Sequence, residues 1–97
     1  MESERPSFYA VLEAEIRYDK RLSSTAKIMY AELTALAKKD GYAWASNKYF
    51  ADNFDISPSQ VSRIMSQLSE IGYIKVFVTG NYMRKITLCK TVKGTQK

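Results

Sequence analysis

From residue 57 to residue 72 the apolar side chains return at helical spacing. Val61, Ile64, Met65, Leu68 and Ile71 form one stripe. Both ends of the stretch are marked. Ser57 can accept from the first free amides, Pro58 suits the first helical position, and Gly72 can take the left-handed conformation that ends a helix. The spacing predicts a helix over 58–71. The same period appears upstream in Ala26, Met29, Tyr30, Leu33, Leu36 and Ala37, which predicts a helix over 22–39. Ser23 is its cap and Leu22 its hydrophobic staple. Lys38 and Lys39 suit the C-terminal end, and Asp40-Gly41 is the break. A shorter helix over 47–54, capped by Ser46 or Asn47, turns Phe50, Ala51 and Phe54 inward.

Elsewhere the period changes to two. Tyr73-Ile74-Lys75-Val76-Phe77-Val78 and Met83-Arg84-Lys85-Ile86-Thr87-Leu88 alternate around the turn residues Thr79-Gly80-Asn81-Tyr82. This predicts a hairpin over 73–88. Tyr42-Ala43-Trp44-Ala45 reads as one short strand. Residues 1–21 form an N-terminal arm or a short strand, starting aromatic at Phe8-Tyr9 and then alternating to Ile16. A helix there stays open, because Ala, Leu and Glu are helix formers. Residues 90–97 are a polar, basic tail expected to fray.

The helices over 47–54 and 58–71 are separated by a turn of only a few residues, which is helix-turn-helix geometry, with Ile56 as the apolar plug. The whole order (arm, helix, short strand, helix, turn, helix, hairpin) defines an α+β winged helix-turn-helix over residues 22–89. Three helices share a core with a small antiparallel sheet, made of the short strand and the C-terminal hairpin. Trp44 and Phe50 read as core aromatics.

Ninety-seven residues, 45% of them hydrophobic, suit one small domain. No apolar run reaches membrane-spanning length, and the acidic N-terminus is not a secretory signal, so a cytoplasmic location is expected. With no histidine and a single cysteine, no zinc site of the usual types forms, and no cofactor is expected; Cys89 reads as a buried structural thiol. The net charge is +5, unevenly spread. Residues 1–19 hold five acids and two bases, a balance of −3, whereas residues 73–97 hold six bases and no acid. A basic surface of this kind suits a polyanion, nucleic acid before membrane.

The polar face of the helix over 58–71 carries Ser59, Ser62, Arg63 and Ser66, flanked by Gln60 and Gln67. Hydroxyls, amides and a guanidinium are groups that read base edges and phosphates, and the second helix of such a pair enters the major groove. The alternative is a plain solvated face, with Arg63 paired to Glu70 or Glu32. Ser57, Ser46, Asn47 and Lys48 sit at helix starts, where free amides can hold a phosphate; capping is the other reading. Lys75, Asn81, Tyr82, Arg84 and Lys85 equip the hairpin for backbone or minor-groove contact, or the lysines serve only to discourage edge pairing. Double-stranded DNA is thus the expected partner. Catalysis has no foothold: no nucleophile–base pair is tied together and the four glycines are isolated, so no enzyme is expected.

Four segments, Leu22-Ser23-Ser24-Thr25-Ala26-Lys27, Trp44-Ala45-Ser46-Asn47-Lys48-Tyr49-Phe50-Ala51, Ile56-Ser57-Pro58-Ser59-Gln60-Val61-Ser62-Arg63 and Leu68-Ser69-Glu70-Ile71-Gly72-Tyr73-Ile74, run in an order that resembles the N-terminal winged-helix domain of replication initiators and replisome-organiser-like proteins of bacterial plasmids and phages. The resemblance covers roughly residues 8–88. It implies origin or iteron recognition through Ser59, Gln60, Ser62, Arg63 and Gln67, often as a homodimer. The turn position often held by glycine is Asp55 here. Initiators usually continue into a second domain that recruits host replication proteins, so this chain reads as an excised domain or a short stand-alone protein. A transcriptional regulator or copy-control repressor needs the same module. A protein-interaction winged helix without DNA activity is the remaining class, for which Phe8, Tyr9 and Leu12 on the arm could supply a surface.

Overall fold

The computed structural model describes residues 9–78 and 84–89. The turn around Asn81 and Tyr82, the tail over 90–97 and Phe8 lie outside the described residues. Helices α1 (Ala14–Arg17), α2 (Ser24–Leu36), α3 (Asn47–Phe54) and α4 (Pro58–Ile71) are followed by strands β1 (Ile74–Val78) and β2 (Arg84–Leu88). The strands pair antiparallel, with Ile74 opposite Leu88, Val76 opposite Ile86 and Phe77 opposite Lys85. The architecture is a winged helix-turn-helix.

Three differences from the sequence expectation have local causes. The arm is not a strand: it runs extended to Glu13 and then makes the one-turn helix α1, whose Ile16 is fully buried. Arg17 Nη1 donates to the Leu12 carbonyl, and the Val11 amide donates to Thr34 Oγ1 on α2. Those bonds tie the extended arm to α1 and α2 without a sheet partner. Helix α2 ends at Leu36 rather than Lys39, because Lys38, Lys39 and Asp40 are all exposed and offer no apolar face to extend the stripe. The short strand over 42–45 reduces to one bridge, in which Ala43 and Ile86 exchange both backbone bonds at 2.8 and 3.0 Å. Pinned between the Gly41 break and the Ser46 cap, the segment has room for one paired residue.

The core lies where the helices meet the sheet. Ile16, Met29, Leu33, Phe50, Val61, Leu68, Ile74 and Ile86 are essentially inaccessible. On α4 the apolar stripe buries Val61, Ile64, Met65 and Leu68, each contributing about 1.5–3 kcal/mol relative to exposure. Ile71 and Ile56 are half-buried against the same core. Asp55 closes α3 in the left-handed region at φ 59°, a conformation that aspartate tolerates better than most residues. Gly72 closes α4 at φ 105°, where a side chain would be strained. Among the described residues no helix is long and apolar enough to cross a membrane, and no cluster of His, Cys, Asp and Glu could hold a metal. Cys89 is half-buried rather than buried.

Candidate nucleic-acid interface

Helix α4 is held at both ends and along one side, which leaves its other face to solvent. Ser57 Oγ accepts from the Gln60 amide at 3.1 Å, and the Gly72 and Tyr73 amides close the far end on the Leu68 carbonyl. Ser59, Ser62, Arg63 and Ser66 are exposed. The two ion pairs among the described residues are Arg21–Asp19 and Lys48–Asp52. Arg63 therefore pairs with neither Glu70 nor Glu32, and the Glu32 carboxylate instead accepts from Tyr49 Oη at 2.5 Å. Gln67 differs from its neighbours: its Nε2 donates to the Arg21 carbonyl at 2.9 Å, so the side chain ties α4 to the loop before α2. Gln60, half-buried, shares a hollow with Ser23, Arg63, Ser66, Gln67 and Glu70 between α4 and the start of α2.

The start of α3 is occupied by capping. Ser46 Oγ accepts from the Tyr49 amide at 3.1 Å. Lys48 Nζ meets Asp52 one turn on at 2.8 Å, an exposed pair of small energetic weight. Asn47 Oδ1 is buried with no hydrogen-bond partner.

The hairpin divides its cations between two sides. Arg84 points toward the body of the domain: its Nε donates to the Ala45 carbonyl at 2.8 Å, linking β2 to the segment before α3. Nη2 of the same guanidinium is buried and unpaired, and burial pushes the group's pKa below its ordinary value. Arg84 and Val76 line a groove with Ser62, Ser66, Ser69 and Glu70 of α4. Alternation places Lys75 and Lys85 on the opposite side of the sheet. There the Lys85 Nζ lies 4.5 Å from the centre of the Tyr42 ring. Lys75 is exposed. The basic hairpin of the sequence is therefore one inward strut and two outward lysines.

Trp44 is not the core aromatic that its surroundings suggested. It is 37% exposed, because Ala43 and Ala45 on either side take the inward positions, whereas Phe50 is fully buried. Sequence reasoning also missed Asp19. Its carboxylate holds Arg21 through Nη2 at 2.7 Å and Nε at 3.0 Å, and accepts from Tyr73 Oη at 2.7 Å. The Arg21 hydrogen bonds, then that from Tyr73, hold the Asp19 carboxyl well below the usual carboxylate range, against the effect of burial. Tyr73 is pushed up to about 12, first by burial and then by its bond to Asp19. Only the 54-residue separation hid this link between the arm and the hairpin, since Asp19-Lys20-Arg21 reads locally as a charged connection.

This arrangement, two short helices at a tight turn with a hairpin behind the second, defines a helix-turn-helix protein. The helix-turn-helix domain family matches residues 20–74, more than half of the 97, and the chain belongs to that family. Solved structures of Lactococcus lactis ZitR share the fold. A cysteine-to-serine mutant in complex with DNA gives a TM-score of 0.57 at 23% identity, over 91% of this chain and 56% of that one. A second structure of a cysteine-to-serine mutant gives 0.56 at 22%, over 90% and 56%. A glutamate-to-alanine mutant gives 0.55 at 23%, over 91% and 56%. The chain thus spans a little over half the length of these structures. No curated protein matches it in sequence.

Proposed function

We propose that the chain is a non-enzymatic, cytoplasmic module that binds double-stranded DNA through α4. The observation that carries this reading is the solvent face of α4. Ser59, Ser62, Arg63 and Ser66 stand exposed on a helix capped at both ends, and Arg63 has no partner among the described residues. A rigid helix of this kind can lie in the major groove, with Ser59, Gln60 and Arg63 at base edges and Ser57, Ser62 and Ser66 at base edges or phosphates. The fold shared with a ZitR mutant solved in complex with DNA supports the reading. Ser46, Asn47 and Lys48 are candidates for a phosphate contact from α3. Gln67 and Arg84 have structural partners and act mainly as braces.

The segments that resemble plasmid and phage initiators favour origin or iteron recognition in replication, as a homodimer, with host replication proteins as further partners. A transcriptional regulator or copy-control repressor is supported equally, because the family match over 20–74 covers the module that both roles use.

The test is a salt-titrated binding assay of the full chain on two duplexes of equal length. One carries the repeats of its own replicon and the other is scrambled. Specific recognition requires tighter binding to the repeats, and a loss of about 1–3 kcal/mol on Arg63→Ala for the repeats alone. Equal, weak binding to both duplexes would reduce the interaction to charge and remove Arg63 from recognition.

A further inference from the structure

The outer side of the hairpin sheet, turned away from α4, carries a second set of groups suited to nucleic acid. Three strands' worth of backbone contribute: β1, β2 and the segment bridged at Ala43. Ile74, Ile86 and Ala43 take the buried side. The residues between them therefore share the other side, which places Tyr42, Trp44, Phe77, Lys75 and Lys85 on one surface. Tyr42 and Trp44 meet edge to face at 5.3 Å. Lys85 lies over the Tyr42 ring and stands directly across from Phe77. Phe77 is 51% exposed and Trp44 37%. No acidic residue occurs in 42–45, β1 or β2.

From this juxtaposition we infer that the outer sheet face of Tyr42, Trp44, Phe77, Lys75 and Lys85 is a binding site for single-stranded DNA. Exposed aromatic rings beside lysines are the combination such strands require: unpaired bases stack on the rings and the phosphates lie along the cations. A duplex does not meet this chemistry, because its bases are already stacked on one another. A protein-docking face would be apolar without paired lysines and would leave the positive charge of residues 73–97 unused. The choice of DNA over RNA rests on the duplex-binding reading of α4, on a separate side of the same domain. A strand opened beside a bound duplex would then have a place to go.

Trp44 is the chain's sole tryptophan, so the site reports on itself. The experiment titrates an oligo-dT of about 12 nucleotides into the full chain at low salt and follows tryptophan emission. A duplex of equal length and the variants Phe77→Ala and Arg63→Ala run in parallel, with circular dichroism to check the fold. Stacking predicts saturable quenching by the single strand, weakened by added salt at roughly −0.7 in log affinity per phosphate contacted. Phe77→Ala should weaken it about tenfold or more and leave duplex binding intact. Arg63→Ala should do the reverse. Absence of quenching by oligo-dT overturns the site, as does unchanged single-strand affinity in Phe77→Ala. So does self-association without DNA that Phe77→Ala abolishes, because a second copy would then own the face. If Arg63→Ala leaves duplex binding untouched while Phe77→Ala removes the quenching, the α4 reading fails and the sheet site stands.

Discussion

Helix α4 buries four side chains along one side, whereas β1 buries only Ile74 and leaves Lys75 through Val78 exposed. β2 contributes only Ile86 to the fully buried core. The helix is therefore shaped mostly by its own residues: a cap at Ser57, a left-handed stop at Gly72 and a stripe between them. The hairpin depends on distant groups, namely the Ala43 bridge, the Ala45 carbonyl that takes Arg84, and the Asp19 carboxylate that takes Tyr73. A self-sufficient helix can present small hydroxyls and an arginine with fixed spacing. A hairpin braced from outside can expose large rings, because its own burial contributes less to holding it.

Four substitutions test that contrast. Leu68→Ala should be the most damaging, costing about 2–5 kcal/mol, since it opens a cavity where the α4 stripe meets the core. Urea unfolding should show the loss as one cooperative transition. Arg84→Ala should cost about 1–3 kcal/mol, through the Ala45 carbonyl it leaves without a partner. Its mark is regional: hydrogen exchange should rise in β1 and β2 and stay unchanged in α4. Equal increases in both would mean that the hairpin does not open independently.

Ser57→Ala should remove a single cap from α4, at about 0.5–2 kcal/mol, visible as a lower melting temperature with the hairpin amides unaffected. The last substitution concerns Asp19. Its folded pKa lies well below the unfolded value of about 3.9, so the stability it contributes is fully present above that pH and is lost progressively as the pH falls from there toward the folded pKa. The gap between melting curves of the native chain and of Asp19→Asn should be constant above about pH 4 and narrow steadily as the pH falls below it. A constant gap down to pH 2 would show that the carboxylate's charge is not what holds Arg21 and Tyr73.

Much of this was legible along the chain. Helices α3 and α4 fall where the Ser46 and Ser57 caps and the apolar spacing put them, and the two hairpin strands pair antiparallel as expected. The solvent face of α4 could be read directly, because a period of 3.6 assigns sides without reference to other elements. The hairpin cations could not be sorted this way. Arg84 and Lys85 are adjacent and chemically alike in sequence, yet one braces Ala45 and the other covers Tyr42. Trp44 was misread because an aromatic between two alanines gives no sign of which residue turns inward until a strand pairs with it.

Local chemistry was thus sufficient for the boundaries of α3 and α4, the solvent face of α4 and the charge that suits a polyanion, because caps, periodicity and composition act within a few residues. Tertiary contact decided the rest. It paired Asp19 with Tyr73, drew Gln67 to the Arg21 carbonyl and reduced residues 42–45 to one bridge at Ala43. It also gathered Tyr42, Trp44, Phe77 and two lysines onto one surface. Each of those outcomes depends on contact between segments far apart in the chain, as in the hydrogen bonds that join residues 39 to 54 positions apart.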